Sequence, residues 1–209
     1  NAYRVHICDD DFACDRIRAA SFFKALPATP FRLSSVQVSI ADLCKNVDGI
    51  LQAEPDHALL DSITPDCFAD ATRPIPTRDF VLDHKSRNWS SYLQIGVETF
   101  SEAELIRLGK GYRVHHIRTI VDALARRGLH MDGYFIQSNS ETTAADLING
   151  LDELCRIKMA YPVHFHIRFP IVPHLVSYFT SASHRRIVRQ GREDIQKRFR
   201  IASVPSHPE

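Results

Sequence analysis

Apolar and polar positions along the chain follow two periods, and the switches between them mark out the elements. An apolar run over residues 5–8 reads as a strand, and Asp9, Asp10, Asp11 and Phe12 form a polar turn leading out of it. Ile17, Ala20, Phe23 and Leu26 recur at helical spacing, predicting a helix over about 14–26 that Pro27 ends. Residues 35–40 alternate with period two, which predicts a second strand with one face more buried. Residues 41–91 are less regular. A helix is expected near 43–52, followed by Pro55, Pro65, Pro74 and Pro76 among acidic and hydroxyl residues, and then a helix over 78–89.

From residue 92 the pattern sharpens. A strand over 92–97 exits through Glu98, Thr99, Phe100 and Ser101. A helix over about 102–108 stops at Gly109-Lys110-Gly111. Another runs over 114–127, with Ile117, Ile120, Val121 and Leu124 on one face and Gly128 as its stop. A strand over 129–136, a polar turn over 138–142, a helix over 143–157, an alternating strand over 163–169 and a basic helix over 183–199 complete the reading, and the tail from 203 looks unstructured. Strand, turn and helix repeated in this way predict an α/β fold with a parallel sheet, either doubly wound or a barrel. Both architectures collect ligand-binding residues at the C-terminal ends of the strands. Asp9 to Asp11, Glu98 and Thr99, residues 137–141, and Phe169 with Pro170 would therefore share one rim.

Composition narrows the function classes. At 209 residues the chain can bury a substantial core, and 44% hydrophobic with 24% charged residues argues against a disordered or fibrous protein. A net charge of +1 gives no general electrostatic reason to favour nucleic acid or membrane surfaces. No apolar run approaches the roughly 20 residues of a membrane span and no signal-peptide layout is seen, so a cytoplasmic protein is expected. The chain opens on Asn1, close to its first strand, as if something upstream were missing. The cysteines, Cys8, Cys14, Cys44, Cys67 and Cys155, fit neither a disulfide framework nor paired zinc ligands and read mostly as buried, reduced thiols.

Each candidate has a plainer reading. Asp11, or Ser140 with Glu141, could cap a helix and do nothing more. Glu98 is different, because a carboxylate directly after an apolar strand must find donors or carry a desolvation penalty. His164 and His166 share a face of the last strand as metal ligands or, more simply, as structural side chains. The arginine-rich C-terminal helix reads as a solvated face, with RNA contact as its alternative.

Taken in order, these blocks resemble the later part of a radical S-adenosylmethionine (SAM) domain, of the branch that includes MiaB-like and cobalamin-associated enzymes. The resemblance rests on residues 5–12 and 92–173. It is carried by Gly96-Val97-Glu98-Thr99, the apolar helix to Leu108, Lys110-Gly111, the helix ending at Gly128, and Phe135-Ile136 followed by Gln137-Ser138-Asn139-Ser140-Glu141-Thr142. It implies a partial (β/α) barrel of mostly parallel strands with outer helices over residues 1–182. An irregular insertion at about 53–91 interrupts the barrel, and a basic helix and tail follow over 183–209.

The implied activity is SAM binding at the strand ends for reductive cleavage to a 5′-deoxyadenosyl radical. Asp9 and Asp10 stand where the family holds the methionyl ammonium, in place of its usual Gly-Gly-Glu. Glu98, with Thr99 beside it, matches the glutamate near the ribose or methionyl part. Ile136, Ser138 and Glu141 match the segment against adenine, which Phe169 would approach from the last strand. Ser138 replaces a usual glycine, and Asn139-Ser140 stands where Pro-Gly is common.

A radical SAM enzyme also holds a [4Fe-4S] cluster on a C-x-x-x-C-x-x-C loop. No cysteines here have that spacing, so the ligands are expected upstream, in a further part of the same polypeptide. No general acid or base is nominated. Cobalamin belongs to the branch, but no residue here reads for it, and the substrate is not legible. Two other readings stay open. One is a degenerate cluster-less barrel acting as a binding or scaffold module. The other is a partial-barrel hydrolase or lyase using Asp9, Asp10 and Glu98 as metal ligands or acid and base.

Overall fold

The computed structural model describes residues 3–7, 9, 11–69, 92–135 and 142–168. Among them the chain runs β1 (Tyr3–His6), α1 (Arg16–Ala25), β2 (Phe31–Val38), α2 (Ile40–Leu43), β3 (Cys44–Val47), β4 (Ile50–Pro55) and α3 (His57–Leu60). It continues through β5 (Tyr92–Glu98), α4 (Glu102–Arg107), α5 (Val114–Arg126), β6 (Met131–Phe135), α6 (Ala144–Ala160) and β7 (Phe165–Arg168). Strands β1, β2, β5, β6 and β7 form one sheet in that order, with every pairing parallel.

Neighbours in the sheet thus follow one another along the chain without reversal. A (β/α) barrel grows in this way, whereas a doubly wound sheet reverses direction at a switch point. Among the described residues β1 and β7 do not pair, so the barrel is partial and open.

Register and pleat divide the sheet into two unlike faces. Strand side chains alternate, so Val36 and Val38, Leu93, Ile95 and Val97, Met131 and Phe135, and Phe165 share one side. All are buried and join a single core with Leu105 of α4, Ile117, Ile120, Val121 and Leu124 of α5, and Leu154 and Ile157 of α6. The opposite face is polar: Gln37, Gln94, Asp132 and His166 stand at one level on four adjacent strands. The burial of one side against helices is the force that makes α/β layers, and here it sets which strand residues point away from them.

Several expectations are corrected. The helix expected over 43–52 is a hairpin instead, with β3 and β4 antiparallel around Asp48 and Gly49. Both turn residues have positive φ, 52° and 81°, the two-residue geometry that an Asp-Gly pair favours. Helix α1 buries Phe23 with Ala19, and Leu26 just after it, with Ala20 partly buried against the core, but Ile17 is 84% exposed and leaves the expected stripe. Its N-cap is Asp15, whose carboxylate accepts from the Arg18 backbone N–H at 3.0 Å, so Asp11 does not cap it. Strand β2 begins at Phe31 and ends at Val38, and Ser39 caps α2 rather than continuing the strand.

Of the thiols, Cys44 and Cys67 are buried but Cys14 and Cys155 are exposed. The part of the insertion over 56–69 is ordered around α3 and a short 3₁₀ turn, Pro65–Cys67, and bridges to β2 through Leu33 and Phe68. The helices expected over 78–89 and 183–199, and the tail, lie outside the described residues. No helix among those residues is long and apolar enough to cross a membrane.

Candidate functional site

The C-terminal end of β5 departs from regular strand geometry. Its register to β6 jumps between Gly96 and Glu98, so two residues there stand against one on the partner strand, a β-bulge. At the bulge Glu98 has φ 65°, and the Thr99 N–H donates to the Val97 carbonyl at 2.7 Å. A hydrogen bond spanning two residues around a positive φ defines the strained form of γ-turn. Non-glycine residues in that region cost of order 1–3 kcal/mol and persist only where the surroundings impose them.

The turn folds the Glu98 carboxylate back over Gly96. A Cβ on Gly96 would meet Glu98 Oε1 at 2.9 Å, so a larger residue there would push the carboxylate aside. The carboxylate accepts from Lys110 Nζ at 2.8 Å. Lys110 comes from the loop after α4, where Gly109 at φ 71° turns the chain back toward the sheet. From that loop Tyr112, only 5% exposed, donates its hydroxyl to the Gly96 carbonyl at 2.8 Å and lies 3.3 Å from that of Val97. Burial, together with the nearby Glu98 carboxylate, pushes the phenol's pKa up, so it remains a donor. The donor that the sequence demanded for Glu98 is therefore Lys110.

Thr99 serves the scaffold. Its Oγ1 accepts from the Ser101 N–H at 3.1 Å and donates to Glu104 at 3.1 Å, and Glu104 also accepts from Thr142. Ser101 donates to Asp146 at 2.9 Å. Asp146 also accepts from Arg107 and from Thr143, the N-cap of α6. The donors around it, those of Thr143 first, hold the Asp146 carboxyl below the usual carboxylate range. This network ties the exit of β5 to the start of α6.

At the first strand Asp9 is exposed, and its Oδ1 accepts from the Asp11 N–H at 3.1 Å. Asp11 turns inward toward Asp42 of α2. Burial first, and then the neighbouring Asp42 carboxyl, raise its pKa to about 7. Asp9 and Glu98 follow the β1 and β5 strands, with β2 between them. Asp10, Ile136, Ser138, Glu141 and Phe169 lie outside the described residues. Lys110, Tyr112 and Asp42 were not read as site residues, because only the fold brings them to the strand ends.

The histidines expected to share a strand face form a stack at the other end of β6 and β7. His130 and His164 rings lie 5.1 Å apart, and His130 and His166 6.0 Å apart, with their planes inclined by 33° and 29°. His166 Nε2 and His130 Nδ1 both bond the Val163 carbonyl, at 2.7 and 3.0 Å, and His164 Nδ1 bonds that of Leu129 at 3.1 Å. Stacked rings tied to carbonyls do not converge on a metal.

Among the described residues no three His, Cys, Asp or Glu side chains form a metal site. The cysteines, at 8, 14, 44, 67 and 155, do not have C-x-x-x-C-x-x-C spacing. An open groove of about 420 Å³ lies between α4, α5 and α6. It includes neither Asp9, Glu98 nor Lys110, so the candidate site rests on the rim chemistry instead.

No protein-family model matches the chain, and no curated protein matches it in sequence. Solved structures match its fold over its whole length. One is the cobalamin-dependent S-adenosylmethionine radical enzyme OxsB with aqua-cobalamin and S-adenosylmethionine bound, with a TM-score of 0.59 at 12% identity. Another is the same enzyme with aqua-cobalamin bound, at 0.57 and 11%. The chain covers 30% of each of those chains. Likeness at this identity shows the α/β partial-barrel fold alone and does not select the MiaB-like branch.

Proposed function

We propose that these residues form the SAM-binding part of a radical SAM enzyme, with the ligands of its [4Fe-4S] cluster outside the 209 residues. The observation that carries this reading is Glu98, held in a strained turn at the end of a barrel strand and paired with Lys110. Strain kept at a strand end in this architecture is where a ligand-binding carboxylate belongs. The fold likeness to a SAM-binding radical enzyme supports the same reading.

SAM suits such a rim because it carries an ammonium, a carboxylate and ribose hydroxyls on one molecule. Asp9 and Asp10 would accept from the ammonium, Glu98 from ribose or methionyl donors, and Lys110 would complement a ligand carboxylate. Ile136, Ser138, Glu141 and Phe169 would lie along the adenine, with Thr99 holding the entrance to that turn through Glu104. Bound beside a cluster, SAM supplies reductive carbon–sulfur cleavage and hydrogen abstraction. The protein's part is to bind, orient and shield it. None of the residues named here is assigned to cobalamin.

Equilibrium dialysis of labelled SAM against the chain tests this reading. Saturable binding is expected, weakened about tenfold in Glu98→Gln, which corresponds to about 1.4 kcal/mol. Absence of saturable binding, or equal affinity in Glu98→Gln, would overturn it.

A further inference from the structure

The bulge in β5 breaks the ladder that would ordinarily satisfy the carbonyls at its end, and buried carbonyls need donors. The Tyr112 hydroxyl supplies one, at 2.8 Å from the Gly96 oxygen and 3.3 Å from the Val97 oxygen. The Val97 carbonyl is the same one that closes the γ-turn around Glu98, through the Thr99 N–H at 2.7 Å. Glu98 at φ 65° would relax if that carbonyl were free to rotate. Tyr112 and Lys110 reach the turn from the same loop, one gripping its backbone and the other its carboxylate. Gly96 leaves the space into which the carboxylate folds.

We propose that Tyr112 is a positioning residue that acts through Glu98, its hydroxyl locking the bulged end of β5 so that the carboxylate is presented at the rim beside Lys110. Only the identity of the ligand presented to Glu98 rests on the SAM reading. The locked turn is a property of this chain.

The test uses Tyr112→Phe, which keeps the buried ring and removes only the donor. Melting within about 4 °C of the parent shows that the fold is kept. Hydrogen exchange at the Thr99 amide, read by NMR, is expected to accelerate at least tenfold while amides of α5 keep the parent rate. SAM affinity is expected to fall about fivefold, the worth of one hydrogen bond.

In the double variant with Glu98→Gln, the Tyr112→Phe change should add less than twofold, because a residue acting through Glu98 loses its effect once Glu98 is altered. A merely structural tyrosine would give additive losses. Parent-like Thr99 exchange, or additive losses in the double variant, overturns the positioning role. Accelerated Thr99 exchange in a protein that binds no SAM would retain the lock and discard the ligand. Should Tyr112→Phe fail to fold, Gly96→Ala crowds the Glu98 carboxylate directly. It should reproduce the affinity loss with Tyr112 intact, and an unchanged affinity there would overturn the proposal.

Discussion

The carboxyl of Asp11, in the turn after β1, lies beside that of Asp42, the acidic residue in the first turn of α2. Two carboxyls brought together and away from water favour the protonated form of one of them. One oxygen of Asp11 is buried without a hydrogen-bond partner, and Asp42 is engaged by Ser39 Oγ at 2.5 Å and, through its own backbone N–H, with the same hydroxyl at 3.1 Å. The turn in which Asp9 lies thus meets α2 through a carboxyl that holds its proton above the usual carboxylate range.

That proton gives the turn a pH dependence. Asp11 is raised from 3.8 to about 7 in the folded chain, so the folded state binds the extra proton and the unfolded state does not. The stabilisation is complete below about pH 4 and is lost as pH rises toward 7. Asp11→Asn keeps a neutral side chain able to donate to Asp42. It should melt higher than the parent at pH 8, on the order of 2–4 °C, and the difference should shrink by pH 5. Paired thermal melts across this range would reject the raised Asp11 pKa if the two curves stayed parallel.

The histidine stack acts in the opposite direction. Burial first, and then the charge of Lys158, lower the His166 pKa to about 4, and His130 is lowered as well, also mainly by burial. The unfolded chain, with imidazoles near 6.5, takes up protons that the folded chain refuses, so stability falls as pH drops from about 6.5 toward 4. In His166→Gln the melting temperature should fall less steeply over that window than in the parent. An identical slope in both proteins would mean that His166 is not a source of the acid lability.

The strained turn predicts an inverted order of stability at position 98. Alanine keeps the positive-φ penalty and loses the Lys110 ion pair, whereas glycine loses the pair but relieves the penalty. Glu98→Gly should therefore be more stable than Glu98→Ala by about 1 kcal/mol in urea unfolding. Both should lose SAM affinity alike. If Glu98→Ala proves the more stable of the two, φ at this position is not the constraint it is taken to be.

Much of the architecture was legible from local chemistry. Val114–Arg126 shows a clean apolar stripe ended by Gly128, and the alternating strands around Glu98 and in residues 163–169 read correctly in kind. In 43–52, Leu43 with Val47, Ile50 and Leu51 mimics helical spacing. Only the pairing of Val47 with Ile50 across Asp48-Gly49 reveals a hairpin, because a short apolar run does not distinguish the two. Ile17 misled for a related reason: which face of a helix is buried depends on what it packs against.

At the candidate site the division follows distance along the chain. The sequence alone placed Glu98 at the end of an apolar strand and required that it find a donor, because desolvation of a carboxylate is a local cost. That Lys110 is the donor, that Tyr112 grips the carbonyls behind it, and that Asp11 meets Asp42 at the start of α2 were decided by tertiary structure. Those partners lie 12, 16 and 31 positions away or act through a bulge, and hydrogen bonds and paired carboxyls depend on ångström-scale placement that no residue pattern encodes.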